Sequence, residues 1–508
     1  MTDKVSIRRL STGVSGLDAV LGGGLPEFSF NVVAGAPGAG KTTLVQQIMF
    51  TLARRDRPAL YFTVLGEPPL KMLRYQQQFE FFDIAKVNTS VRFVNLAKEA
   101  LAGGLDEVLR RIAQEVEAAS PAIVIVDSFR SVIQAAKRQN GEADLPHFVQ
   151  RLGMQLTGWQ ATTFLVGEFQ LAETEDHPVF TVADGLISLY QSLDRNSMVR
   201  KMQVMKMRGQ APIPGLHTFR ITNGGIQVFP RLIIEAPKTP PVGDGAKTKR
   251  QPPRVSIGVT GLDEMLGGGI PSGQSVLVAG PSGSGKTVLA THFIREGVRR
   301  GEPGVIAIFE KRPSEYAQAS AIGLDQAVRD GQVGIIHTRP LDLSIDETQF
   351  ELTAAIERLK ARRVVIDSLS GFELALAPTF REDFRESLYR LVAALTGMGV
   401  TVMMTAELED TYTHLRFSPH GTAFLTDAII VQRYLELEGR LQRVMAVVKV
   451  RASAHSKDLR LFEIGADGIT IAERVGDYEG LLTGSPRVVA PERRRRRRRA
   501  AQSRRPRS

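Results

Sequence analysis

Short, uninterrupted apolar runs recur along the chain, separated by longer stretches in which apolar residues return every three or four positions. In the first half the runs are "FNVVAG" (30–35), "ALYFTV" (59–64), "AIVIVD" (122–127) and "TTFLVGE" (162–168). In the second they are "SVLVAG" (275–280), "GVIAIFE" (304–310), "RVVIDS" (363–368) and "TVMMTAE" (401–407). Strands that are apolar at every position, and not at alternate ones, are covered on both faces. The segments "GLDEVLRRIAQEVEAA" (104–119) and "FRESLYRLVAALTG" (384–397) carry helical periodicity. The pattern predicts α/β domains, each a mostly parallel sheet flanked by helices.

The two halves are copies of one another. "STGVSGLDAVLGGGLP" (11–26) returns as "SIGVTGLDEMLGGGIP" (256–271), and an offset of 245 residues holds without a gap from Ser11/Ser256 to Pro68/Pro313. A period this long indicates duplication of a whole domain and not a solenoid repeat. Between the copies, "EAPKTPPVGDGAKTKRQPPR" (235–254) offers little to bury and reads as a linker. The expected organisation is a first domain over 1–234, a linker over 235–254, a second domain over 255–487 and a tail over 488–508.

A length of 508 residues suits two or more domains. The absence of cysteine excludes disulfides, zinc–cysteine sites and thiol nucleophiles, and fits a reducing compartment. With no signal-peptide pattern and no apolar run long enough to span a bilayer, a soluble cytoplasmic protein without a transmembrane segment is expected. The formal charge of +11 points to a nucleic-acid binder until its location is considered. Ten of those charges are Arg493 to Arg499, Arg504, Arg505 and Arg507, so the body is close to neutral.

The candidate chemistry begins with two phosphate loops of the form G-x-x-x-x-G-K-[ST], each after a predicted strand and before a predicted helix. The first is Gly35, Ala36, Pro37, Gly38, Ala39, Gly40, Lys41 and Thr42, followed by Thr43. The second is Gly280, Pro281, Ser282, Gly283, Ser284, Gly285, Lys286 and Thr287, followed by Val288. Glycines let backbone N–H groups wrap phosphates, the lysine reaches the β- and γ-phosphates, and the Thr42 or Thr287 hydroxyl suits Mg²⁺. Asp127 and Asp367 end apolar strands at the carboxyl edge of the sheet and are the candidate acidic partners of the metal. ATP and Mg²⁺ are therefore the expected cofactors.

Hydrolysis also needs a group that orients or deprotonates water. Glu310 ends its run and is the candidate base of the second copy. At the constant offset Leu65 faces Glu310, and the first copy has its carboxylate two residues later, at Glu67. Glu67 points the same way as Leu65 only if the strand continues that far. Otherwise the first copy binds ATP better than it cleaves it. Late in each copy, "VMKMRGQ" and "VVKVRAS" place Lys206 with Arg208 and Lys449 with Arg451 at period two, on one side of a strand. Such pairs suit a finger that reaches a neighbour's nucleotide.

With "GLDEMLGGGIP", the paired phosphate loops, "FE" at 309–310, the K-x-R pairs and "TGSPR" at 483–487, the chain resembles the KaiC family of RecA-superfamily ATPases as far as about residue 487. The resemblance implies two tandem RecA-like P-loop NTPase domains, a double-ring homo-hexamer with ATP at subunit interfaces, Mg²⁺ as metal, and Lys449 and Arg451 acting in trans. The chain also departs from the family. Clock members carry two adjacent glutamates where Glu310 is followed by Lys311, and adjacent Ser and Thr phosphoacceptors where this chain has Ala423 and Phe424, near Thr422 and Thr426.

The tail "PERRRRRRRAAQSRRPRS" cannot fold alone, because like charges repel and nothing apolar remains to bury. It is either a solvated arm or an electrostatic contact, through 493–507, for nucleic acid or another anionic surface. The leading expectation is an ATPase acting as a nucleotide-state switch towards a signalling protein partner. The alternatives are a serine/threonine autokinase, a RecA-like DNA-binding ATPase and a scaffold that binds ATP without turning it over.

Overall fold

The apolar runs become the central strands of two sheets, and the phosphate loops leave the middle strand of each. The computed structural model describes residues 7–63, 69–102, 104–128, 151–155, 158, 160–168, 178–194, 197–231, 253–310, 312–319, 323–337, 344–376, 378–381, 384–408, 425–437, 439–451, 453–475, 478–479 and 487–488. The chain divides into two units, Met1–Ile233 and Ile234–Ser508.

The first domain contains β1 (Phe30–Gly35), α1 (Lys41–Leu52), β2 (Ala59–Thr63), β3 (Val91–Asn95), α2 (Gly104–Ala119), β4 (Ile123–Asp127), β5 (Thr162–Gly167), β6 (Gly185–Asp194), β7 (Ser197–Met207), β8 (His217–Thr222) and β9 (Gly225–Phe229). Its nine-stranded sheet has the order β9-β8-β7-β6-β1-β5-β4-β2-β3. Strands β3, β2, β4, β5, β1 and β6 are parallel, whereas β6 to β9 form an antiparallel meander. Val33, Ile125 and Val166 on one face pack with Leu44, Val45 and Ile48 of α1. Val32, Val124 and Leu165 on the other face pack with Val108, Leu109 and Ile112 of α2. Covering both faces explains why these strands read as continuous apolar runs.

The second domain repeats the plan with β10 (Ser275–Gly280), α3 (Lys286–Arg299), β11 (Gly304–Ile308), α4 (Pro313–Ala319), β12 (Val333–His337), α5 (Ile345–Leu359), β13 (Arg363–Asp367), α6 (Leu369–Ala375), α7 (Phe384–Gly397), β14 (Thr401–Glu407), β15 (Ala428–Leu437), β16 (Arg440–Val450), β17 (Arg460–Gly465) and β18 (Gly468–Arg474). The order is β12-β11-β13-β14-β10-β15-β16-β17-β18. Arg363, 1% exposed at the start of β13, is a buried cation. It pairs with Glu302 at 2.7 Å, donates to the carbonyls of Ser256 and Phe293, and lies over the Phe293 ring.

The repeated entry motif has a structural role. Asp18 accepts from the Ser11 hydroxyl at 2.6 Å and the Thr12 amide at 2.8 Å; Asp263 accepts from the Ser256 hydroxyl and the Ile257 amide at the same two distances. These bonds fasten the incoming chain onto the short helix that precedes the triple glycine. Arg254, which sequence assigns to the linker, belongs to this construction: it opens a two-residue strand and donates to the carbonyls of Leu266 and Gly269.

Candidate nucleotide sites

In both sheets the chain leaves the first strand towards one edge (β1 to β2, β10 to β11) and leaves its neighbour towards the other (β5 to β6, β14 to β15), so a crevice opens at their carboxyl ends. The phosphate loop fills that position. Gly40 and Gly285, the last glycines of the loops, have φ of 99° and 101°. A Cβ there would stand 2.8 Å from Ile221 and 2.5 Å from Ile464, side chains of the antiparallel strands. Glycine is thus required by both conformation and contact. Lys41 Nζ donates to the carbonyls of Gly35 and Ala36 at 2.9 Å, and Lys286 Nζ to those of Gly280 and Pro281 at 2.8 Å.

The strand-end aspartates meet the loop threonines. Thr42 Oγ1 donates to Asp127 Oδ2 at 2.7 Å, and Thr287 Oγ1 to Asp367 Oδ2 at 2.9 Å. Burial pushes the Asp127 carboxyl up, opposed by the hydroxyls of Tyr61 and Thr42 and by Lys41, while Glu168 adds to the rise. Burial lowers Lys41, which the charges of Glu168 and Asp127 counter. Each aspartate also has a buried tyrosine beside it: the phenols of Tyr61 and Tyr316 are held well above their ordinary range, first by burial and then by Asp127 and Asp367. Among the described residues no cluster of three or more His, Cys, Asp or Glu side chains is formed. One hydroxyl and one carboxylate, all oxygen donors, fit Mg²⁺, which takes the rest of its shell from phosphate and water.

The second domain has a cavity of about 310 Å³ that brings together Ser282, Gly283, Gly285, Lys286, Thr287, Val288, Glu310 and Asp367. Glu310 does not end the strand as its run suggested. Strand β11 stops at Ile308, and the chain then turns as Phe309 stacks on Phe372 with ring centroids 4.5 Å apart. The turn presents Glu310 to Ser368, whose hydroxyl lies 2.8 Å from Glu310 Oε1 and also accepts the Gly371 amide as the N-cap of α6. Glu67 lies outside the described residues, as do Leu65, Lys311, Thr422, Ala423, Phe424 and the arginine tail.

Two acids were not singled out from sequence. Glu407 lines the second cavity, and Glu168, at the end of the corresponding run, is close enough to Lys41 to act on its charge. Their shared place as the last letter of "TTFLVGE" and "TVMMTAE" was the available signal.

The basic pairs sit elsewhere. Lys206 donates to the carbonyls of Phe180 and Thr181, and Lys449 to that of Thr426. Arg208 and Arg451 lie one residue past β7 and β16, paired with Asp184 at 3.1 Å and Asp427 at 3.2 Å. The register shift in each hairpin falls before the pair, and Met207 and Val450, which separate the two basic residues, are buried. Burial, then the neighbouring arginine, lowers both lysines. Neither Lys449 nor Arg451 is among the described residues that line the cavity of their own chain.

Comparison with known proteins matches this arrangement twice. The model of the KaiC ATPase family covers residues 10–233 and again 255–476. The circadian clock oscillator protein KaiC of Picosynechococcus sp. is 27% identical over 500 residues, covering 95% of this chain and 93% of that protein. The circadian clock protein KaiC3 of Synechocystis sp. is 26% identical over 501 residues, covering 95% of each. Both phosphate loops, both threonine–aspartate contacts and both nine-stranded sheets fall within the matched segments, and the chain belongs to the KaiC family of ATPases.

Proposed function

We propose that the chain hydrolyses Mg²⁺·ATP in its second domain and works as a hexameric nucleotide-state switch, showing a protein partner different surfaces before and after hydrolysis. The observation that carries this reading is the single cavity in which Lys286, Thr287, Asp367 and Glu310 stand together. Lys286 would leave its loop carbonyls for the β- and γ-phosphates, and the loop amides would cradle them. Thr287 and Asp367 would hold Mg²⁺, which when bound draws negative charge from the phosphates. Glu310, restrained by Ser368, would orient and deprotonate the attacking water.

Lys449 and Arg451 suit action in trans. Their ends lie at the strand edge against Thr426 and Asp427, apart from the cavity of their own domain, and a neighbouring subunit could bring its phosphates to them. Lys206 and Arg208 would do the same for the first domain. That domain is read as a binding and assembly site, since Leu65 occupies the position of Glu310 at the constant offset. The arginine tail, displayed once per subunit, would add weak multivalent contacts to an anionic surface.

The test is to incubate the protein with γ-labelled ATP and Mg²⁺ beside Lys41→Ala and Lys286→Ala variants, separating free phosphate from label held on the chain. Phosphate release lost mainly in Lys286→Ala, with no label on the chain, supports the switch. Label on the chain would replace it with autokinase activity.

A further inference from the structure

The two copies hold their strand-end aspartates with hydroxyls delivered from opposite flanks. In the first domain Tyr61, on β2, donates to Asp127 Oδ2 at 2.5 Å, converging on the oxygen that Thr42 reaches at 2.7 Å. On the other flank Val166 of β5 stands in register with Asp127 and offers only methyl groups. The second domain reverses this. Ile306, 245 residues after Tyr61, is apolar and buried, and Thr405 of β14 donates to Asp367 Oδ1. Each site therefore has one hydroxyl from a neighbouring strand besides that of its loop threonine, but from different strands; the tyrosine beside Asp367, Tyr316, comes from α4 and not from the sheet.

Tyr61 is well suited to holding a rotamer. It is 1% exposed, its ring lies 5.3 Å from that of Phe93, and it shares the parallel β2–β4 ladder with Asp127. An aromatic side chain on a central strand has no room to swing away. A carboxylate end otherwise rotates broadly, so a fixed donor on one oxygen sets where the other points.

We propose that Tyr61 is the positioning residue for Asp127, fixing its carboxylate beside Thr42 to receive the metal of a bound nucleotide, the task Thr405 performs for Asp367. This rests on the reading of the first phosphate loop as a Mg²⁺·ATP site. It assigns Tyr61 no contact with substrate. It also explains why Val166 is tolerated next to a buried carboxylate that needs donors.

The experiment uses the full chain carrying Lys286→Ala, so that binding of a fluorescent ATP analogue reports the first site, with Mg²⁺ or with EDTA. Tyr61→Phe keeps the ring and removes the hydroxyl. The expected result is an affinity with Mg²⁺ weaker by about tenfold, as for loss of a hydrogen bond to a charged group, and unchanged binding in EDTA. Adding Val166→Thr should recover most of that loss, because it supplies a hydroxyl on the flank that the second domain uses. The proposal is overturned if Tyr61→Phe binds as tightly as its parent with Mg²⁺, if both conditions weaken equally, or if the double variant recovers nothing. A Lys41→Ala control that loses no binding would instead overturn the reading of the first site, and the proposal with it.

Discussion

Glu310 lies across Gly371: a Cβ on that glycine would stand 2.4 Å from Glu310 Oε1 and 2.7 Å from its Cγ. The atoms in the way belong to a side chain that can move, so Gly371→Ala should displace the carboxylate and leave the helix intact. Alanine favours a helix over glycine by about 1 kcal/mol. The expected variant melts no lower than the parent yet releases phosphate at least about tenfold more slowly, approaching the loss of a general base. Steady-state kinetics and thermal melting of the same sample check it.

Complementation tests whether Arg451 acts across an interface. Glu310→Gln and Arg451→Ala should each be nearly inactive. In an equal mixture of reassembled subunits, about a quarter of the interfaces pair an intact Glu310 with an intact Arg451, given a head-to-tail ring. Phosphate release should then return to about a quarter of the parent rate, by the same pairing. A mixture no more active than its parts would put both residues on one subunit's site.

His292, on α3, accepts a hydrogen bond at Nε2 from the Ile469 amide at 2.9 Å. Burial, with Arg295 nearby, lowers its pKa from 6.5 to about 4. Between those values the unfolded chain binds the proton and the folded chain does not, so stability rises with pH across this window and falls as acid is added. His292→Gln keeps an acceptor without a titrating ring. The melting temperature of this variant should therefore depend less on pH between about 4 and 6.5 than that of the parent.

Glu302 and Arg363 are unequally buried partners, their side chains 35% and 1% exposed. Glu302→Ala leaves a guanidinium enclosed without its counter-charge and should destabilise the second domain by about 3 kcal/mol. Arg363→Met leaves a carboxylate that can reach water and should cost less. Urea unfolding of the two variants decides the order.

What could be read from sequence was whatever local order encodes. The runs "FNVVAG", "SVLVAG" and "TVMMTAE" are strands over the same residues, and the two quoted helical segments are helices over 104–119 and 384–397. Asp127 and Asp367 end β4 and β13 and meet Thr42 and Thr287 as their place in the pattern suggested. Contacts fixed by pairing between distant strands were not legible. Tyr61 lies 66 residues before Asp127 and Thr405 lies 38 after Asp367, and only the sheet order makes both pairs neighbours. Ser368 escaped notice for another reason: a serine after a strand reads as a helix cap, and its second partner, Glu310, is 58 residues away.

The exchange of Tyr61 and Val166 for Ile306 and Thr405 also constrains the history of the duplication. A first domain that lost its strand hydroxyl before gaining another would have passed through a protein whose buried Asp127 kept, among the described residues, only Thr42 as a hydroxyl donor, which is costly, whereas Asp367 is half-buried and has Tyr316 beside it. A copy that first acquired both would have kept every intermediate working. The first domain should thus have diverged by gain and then loss, and a relative whose first domain carries tyrosine and threonine together at these two places would be a surviving midpoint of that route.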